Sequence, residues 1–475
     1  MKEDLELIGR LVEEKRDRAL ALNREIWSWA ELNFREEKSA KALADALEQE
    51  GFTVERNAAG MRTAFVASYG SGRPVIGLLG EYDALSSLSQ KAACPVREPV
   101  TEGAPGHGCG HSLLGAAAFA AAVAVKDYIQ RTGLSMTVRF YGCPAEEDGG
   151  GKVYLARAGA FDDLDAAFTW HPAAVNAVKG VGALAVMGVL YTFKGRAAHA
   201  ASAPQAGRSA LDAAELMNIG CQFLREHMTS DCRLHYAFRD VGGTAPNVVQ
   251  ASASLHYYIR AARVEGMFRL FDRLNKVAGG AAMMTETEME YRIIDGFSDY
   301  VPNRALSELM QRCMQEVGAP AFDDADRALA ARFAATLTEE EQRENLQAPC
   351  LDYGLDPAGF AGLALDEAVH PLHFAPDRTS PGSTDVGDVS YCVPTAQCEV
   401  ACRALGTGGH TWQMTAQANS PIGEKGMLTA AKVLALTAVR AAADGDLLAR
   451  ARAEWKRSCP DGYRCPMPAE NRPEF

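Results

Sequence analysis

Short apolar runs at Ala64–Ser68, Val75–Leu79, Met136–Tyr141 and Ala166–Thr169 alternate with helical stretches at about Asp4–Leu32, Lys38–Gln49, Ser112–Arg131 and Lys152–Ala158. Strands separated by helices pair in parallel, because each crossover must return the chain to the same end of the sheet. The expected fold class is α/β: a mostly parallel mixed sheet flanked by helices. From about Ala183 the pattern changes. A strand-like run, AVMGVLYTFKG, precedes a helix at Arg208–His227, strands at Arg233–Phe238 and Ala251–Ala262, a helix at Val264–Ala281 and a strand at Thr287–Ile294. Two helices on one side of a small antiparallel sheet form an α+β unit. The reading is a main domain in two parts, residues 1–183 and 299–475, with a smaller domain, 184–298, inserted between them.

With 475 residues, 48% of them apolar, the chain has material for two or three domains. Its 61 acidic against 48 basic residues leave a net charge of −13, which argues against nucleic acid as a partner, since phosphate binding needs clustered Lys and Arg. No run of about 18 apolar residues suggests a membrane span. The N-terminus is a charged amphipathic stretch and not a basic region followed by an apolar one, so it reads as a core-packing helix and the expected location is cytoplasmic. The 12 Cys are scattered irregularly and read as reduced thiols. Cys459 and Cys465, in a Pro- and Gly-containing tail, lie outside zinc-ribbon spacing.

Four short segments carry groups suited to chemistry. His107-Gly-Cys109-Gly-His111 ends a Gly/Pro loop just before a helix, the kind of strand-to-helix loop where α/β sheets place ligands. Thiolate and imidazole suit zinc or another divalent transition metal, although structural burial is the plainer reading of a Cys–His pair taken alone. Glu146-Glu147 follows the strand ending at Tyr141, and adjacent carboxylates repel unless cations sit beside them; a solvated loop is the plainer reading. His171 ends the strand Ala166–Thr169. His410 stands in the glycine-rich Gly406-Thr-Gly-Gly-His410 loop. Five donors with water are enough for a two-metal centre, but spacing alone does not bring them together.

In order along the chain, GEYDAL (Gly80–Leu85), GHGCGHSLLG (Gly106–Gly115), YGCPAEEDGGGK (Tyr141–Lys152), TWHP (Thr169–Pro172), FKGRAAHAA (Phe193–Ala201), PNVVQASASLHYYIRA (Pro246–Ala261), STDVGDVS (Ser383–Ser390) and GTGGHTWQ (Gly406–Gln413) resemble the aminoacylase/carboxypeptidase-type dinuclear metallohydrolases. The similarity lies with the amidohydrolase branch, in which a Cys replaces the usual bridging Asp. It implies two divalent metal ions, Zn or Mn with Co or Ni as alternatives, held by Cys109, His111, Glu147, His171 and His410. It further implies Glu146 as general base, Asp83 as the carboxylate that orients a ligand His, and the inserted unit as a lid and dimerisation domain. His199 resembles the His that reaches a partner subunit's site, and Asn247 and Arg260 resemble residues that hold the substrate carboxylate. The plainer reading of Arg260 is a surface residue in a salt bridge.

The activity so implied is hydrolysis of an N-acyl or N-aroyl amino acid, p-aminobenzoyl-glutamate foremost, by a homodimer or by a heterodimer with a related subunit. The rival of another class is a catalytically silent binding or regulatory subunit. Three departures from the pattern stand out. Ser112 replaces an acid and reads as a helix N-cap. Gly408-Gly409 replace bulkier residues before His410. The stretch Glu339–Arg378 fits least, leaving His370 and His373 as loop residues.

Overall fold

The computed structural model describes residues 2–473. Its main sheet runs in the order Thr53–Arg56, Phe65–Gly70, Thr137–Cys143, Val75–Glu81, Ala166–Ala173, Thr395–Ala401, Ala177–Val178. The middle four strands are mutually parallel and the outer ones antiparallel. Parallel strands have both faces covered by helices, so they read as continuous apolar runs. Val75–Glu81 is buried at every residue. The strand at Thr395–Ala401 comes from the far end of the chain, so the sheet closes only after the inserted unit has been made.

The helix His111–Thr132 packs against this sheet and against the helix Pro421–Ala443. Its small residues permit a close approach: a Cβ on Gly115 would lie 2.6 Å from the Glu81 carbonyl oxygen. Both helices are long and apolar enough to cross a membrane, but 83% and 78% of their most apolar windows are buried inside the molecule. They are core helices here. The single helix expected over Asp4–Leu32 is instead two, Lys2–Glu14 and Arg16–Trp29, interrupted at Lys15 (φ −101°, ψ 0°). Lys15 Nζ donates to both carboxylate oxygens of Glu50, each at 2.9 Å, a tertiary contact that helical periodicity does not reveal.

Between the two parts of the main sheet, four antiparallel strands stand in the order Glu288–Phe297, Ala185–Lys194, Ser252–Ala261, Arg233–Asp240. The helices Ala210–Arg225 and Val264–Thr285 pack on this sheet and on each other. Along Ser252–Ala261 burial alternates strictly after the first residue. Ala253, Leu255, Tyr257, Ile259 and Ala261 enter the core of the unit, so the period of two sends Tyr258 and Arg260 to the opposite face.

In the poorly matching stretch, the helix Glu339–Tyr353 leads into irregular chain. There His370 Nε2 lies 2.9 Å from Asp366 Oδ2, a structural pairing. The tail lies along the surface, with Arg157 donating to the carbonyls of Pro468 and Asn471 at 2.8 and 2.9 Å.

Candidate metal centre

The carboxyl ends of the four parallel strands open at one place, where ligands of such sheets sit. Val75–Glu81 leads to Asp83 and then, through a long loop, to Cys109 and His111. Thr137–Cys143 leads to Glu146 and Glu147, Ala166–Ala173 carries His171, and Thr395–Ala401 leads to His410. The loops are tied together, since His410 N–H donates to the Gly108 carbonyl at 2.8 Å. Gly110 ends the first loop at φ +89°, where a Cβ would also lie 2.5 Å from Met414 Cε, so the turn requires glycine. Gly110 therefore holds the N-cap position. The expectation for Ser112 is corrected: it lies inside the first turn, and its buried Oγ makes no hydrogen bond among the described residues.

Side chains from these loops converge. Cys109 Sγ is 3.3 Å from His171 Nε2, and His410 Nε2 is 3.3 Å from Glu147 Oε2. His111 Nε2 is 3.8 Å from Glu147 Oε1 and 3.9 Å from Glu146 Oε2. Cys109, His111 and His171 form one donor group within 4.8 Å, Cys109, Glu147 and His410 a second, and Glu81, His111 and Glu146 a third. Donors at about 2.0–2.3 Å from a shared ion at tetrahedral angles stand about 3.3–3.8 Å apart, so these spacings fit divalent metal. Two atoms point the same way. Among the described residues His111 Nε2 and Glu147 Oε1 are buried without any hydrogen-bond partner, which buried polar atoms rarely tolerate.

Local contacts prepare the donors. His111 Nδ1 is 2.7 Å from Asp83 Oδ1, leaving Nε2 for an ion, and Asp83 Oδ2 accepts the Glu147 backbone N–H at 2.9 Å. Burial works against the charge on Asp83, but the hydrogen bonds it accepts from His111 and from the Glu147 N–H hold its carboxyl below the ordinary range. His171 Nδ1 is 3.0 Å from the Pro172 carbonyl, which leaves Nε2 free. Burial keeps the His171 imidazole neutral, as ligation requires. Burial, then the carboxylates of Glu81, Glu147 and Asp385, pushes Glu146 well above the ordinary carboxylate range. Such an excess of buried negative charge is what bound cations offset.

A cavity of about 480 Å³ opens onto these groups. Glu146, Cys109, His171 and His410 line it together with Tyr258, Arg260 and Ser383. Arg260 Nη1 donates to Ser383 Oγ at 2.8 Å and has no carboxylate within salt-bridge distance among the described residues, unlike the surface ion pair that was the plainer reading. His199 and Asn247 do not line the cavity. They are exposed together on the inserted unit, where Ala200 N–H donates to the Asn247 carbonyl at 2.9 Å. His370, His373, Cys459 and Cys465 join no donor group among the described residues. Sequence reasoning missed Glu81, Lys152 and Asp385, which are buried beside the centre. Glu81 stands two residues before Asp83 at a strand end, a spacing that places both on one side of the chain.

The sequence profile of Peptidase family M20/M25/M40 matches residues 77–439. The chain is 45% identical over 473 residues to one of the p-aminobenzoyl-glutamate hydrolase subunits of Escherichia coli (strain K12), covering 98% of each chain. It is 29% identical over 481 residues to the Xaa-Arg dipeptidase of Homo sapiens, covering 96% of this chain and 93% of that one. Among solved structures, the YXEP protein of Bacillus subtilis, described as a dinuclear metal binding peptidase from M20 family, superposes with a TM-score of 0.59 at 18% identity over 91% of this chain and 99% of its own. That last likeness is one of fold.

Proposed function

From the premise that this chain belongs to peptidase family M20/M25/M40, a family of metal-dependent peptidases and amidohydrolases, we propose that it hydrolyses the amide bond of N-acyl or N-aroyl amino acids, with p-aminobenzoyl-glutamate foremost. The observation that carries this reading is that Glu146 stands among the donor groups and lines a cavity that Arg260 also lines. Cys109, His111, Glu147, His171 and His410 would hold two divalent ions, with zinc or manganese suited to this mixed donor set and cobalt or nickel as alternatives. When bound, such ions polarise a carbonyl and lower the pKa of water towards neutrality.

The chain's own groups supply the rest. Glu146 takes the proton of the attacking water and delivers it to the leaving amine nitrogen. Arg260 pairs with the free carboxylate of the amino-acid half, for which its planar fork is well shaped. Asn247 assists that carboxylate and His199 stabilises the oxyanion. Their exposed position outside their own chain's cavity supports a role in the site of a partner subunit, with the working unit a dimer, either of two copies or with a related subunit. Lid movement then completes the site and excludes water. A cytoplasmic location fits the 12 free cysteines.

The test is a metal-reconstituted activity screen over N-acyl glutamates, N-acyl aspartates and dipeptides, with p-aminobenzoyl-glutamate included. Turnover of p-aminobenzoyl-glutamate above the other compounds is the expected result. Absence of hydrolysis with every metal and every amide overturns the reading.

A further inference from the structure

Glu81 ends its strand with 2% of its surface exposed. A carboxylate so buried needs partners for both oxygens. Oε1 has one, Lys152 Nζ at 2.7 Å. Lys152 is fully buried, and its ammonium also reaches Asp385 Oδ1 at 2.6 Å, while Asp385 Oδ2 accepts the Lys152 backbone N–H at 2.9 Å. One ammonium thus faces two carboxylates, and the surplus negative charge falls on Glu81 Oε2.

Oε2 lies 3.3 Å from His111 Nε2. The two atoms make no hydrogen bond, for His111 Nε2 has no hydrogen-bond partner among the described residues. They stand side by side, at the spacing of two ligands around one ion. Glu146 approaches the same nitrogen less closely, at 3.9 Å, and its side chain is 12% exposed towards the cavity against 3% for Glu81. Those positions suit Glu146 to meet substrate and Glu81 to meet metal.

We infer that Glu81 is a further protein ligand of the metal centre, holding through Oε2 the ion bound by His111 Nε2, while Lys152 and Asp385 fix its carboxylate from behind. The assignment rests on the two-metal reading above and adds a donor to its set of five. A ligating carboxylate whose second oxygen is hydrogen-bonded is the usual arrangement around protein metals.

Anomalous diffraction from the full-length wild-type protein loaded with Zn²⁺ tests this directly. Glu81 Oε2 is expected within about 2.0–2.3 Å of the ion on His111, and a separation beyond about 3 Å overturns the assignment. In solution, Zn²⁺ competition against a chromophoric chelator should show Glu81→Gln weakening one of two sites by roughly 10–100-fold. The thiolate-to-Co²⁺ charge-transfer band of Cys109 should persist in that variant. Asp385→Asn disturbs the same buried triad without removing a donor atom, and should weaken that site less than Glu81→Gln does. Equal loss in the two variants, or two sites of wild-type affinity in Glu81→Gln, overturns the proposal. A wild-type protein that binds no ion overturns the metal reading beneath it as well.

Discussion

Asp83 braces two parts of the centre at once, with Oδ1 2.7 Å from His111 Nδ1 and Oδ2 accepting the Glu147 backbone N–H at 2.9 Å. Both partners donate, so the carboxylate accepts twice. In Asp83→Asn the amide NH₂ must confront one of those donors, or His111 must move its proton to Nε2 and lose its free lone pair. Metal affinity should fall by roughly 10–100-fold, as chelator competition would measure. An unchanged affinity would show that His111 is oriented by packing alone.

Glu146 touches the cavity but belongs to neither cysteine-containing donor group. Glu146→Gln should therefore retain both metal ions by elemental analysis while kcat falls by roughly 10²–10⁴-fold. If metal is lost in parallel with activity, Glu146 is holding an ion and is not the base.

How far the sequence leads varies with the residue. Alternating apolar and helical runs identify the parallel sheet because its strands are buried on both faces. The strict alternation in Ser252–Ala261 likewise separates Arg260 from the core residues beside it. Convergence of Cys109, His111, Glu147, His171 and His410 is not written in spacing; it depends on Thr395–Ala401 pairing with Ala166–Ala173, more than 200 residues away. Ser112 shows local propensity overridden. Serine is a good N-cap, but the bend at Gly110 starts the helix earlier and buries the hydroxyl. Lys152 and Asp385 are illegible for another reason, since their pairing spans 233 residues and a lysine after three glycines reads as exposed.

Arg260 offers its guanidinium to the cavity, with only Ser383 Oγ as a hydrogen-bond partner among the described residues. Arg260→Ala should raise KM for N-acyl glutamate by roughly 10–100-fold, the loss expected for a charge-assisted hydrogen bond of about 1.5–3 kcal/mol. The corresponding α-amide substrate, which lacks that charge, should be hydrolysed by wild type and variant with nearly equal KM. An equal penalty on both substrates would remove Arg260 from carboxylate recognition.

Asp388 is fully buried, accepting the Ser298 N–H at 3.0 Å and the Ser298 hydroxyl at 2.9 Å. Burial outweighs those bonds and pushes its carboxyl up to about 7 from 3.8. Between these values the folded state binds more protons than the unfolded one, so this group's contribution to stability falls as pH rises and levels off above about 7. Asp388→Asn cannot titrate. Denaturant unfolding should therefore show the variant gaining on wild type from pH 5 to pH 8, by on the order of 2–4 kcal/mol. Parallel pH profiles for the two proteins would contradict the assignment.

His199 is exposed on the inserted unit, with Nδ1 accepting the Ala201 and Ser202 N–H groups at 3.2 Å, so its Nε2 is the atom left to face outward. If that nitrogen works in the site of a partner subunit, His199→Ala and Glu146→Gln damage different chains of the same site. Each variant alone should be nearly inactive. Unfolding and refolding the two together would create mixed dimers, in which one site has Glu146 from its own chain and His199 from the other. Half of the dimers would be mixed, each with one intact site of two, so activity should recover to about a quarter of wild type. Size-exclusion chromatography of the same sample checks that dimers have formed. Recovery absent from a properly dimeric mixture would place His199 in its own subunit's site, or in none.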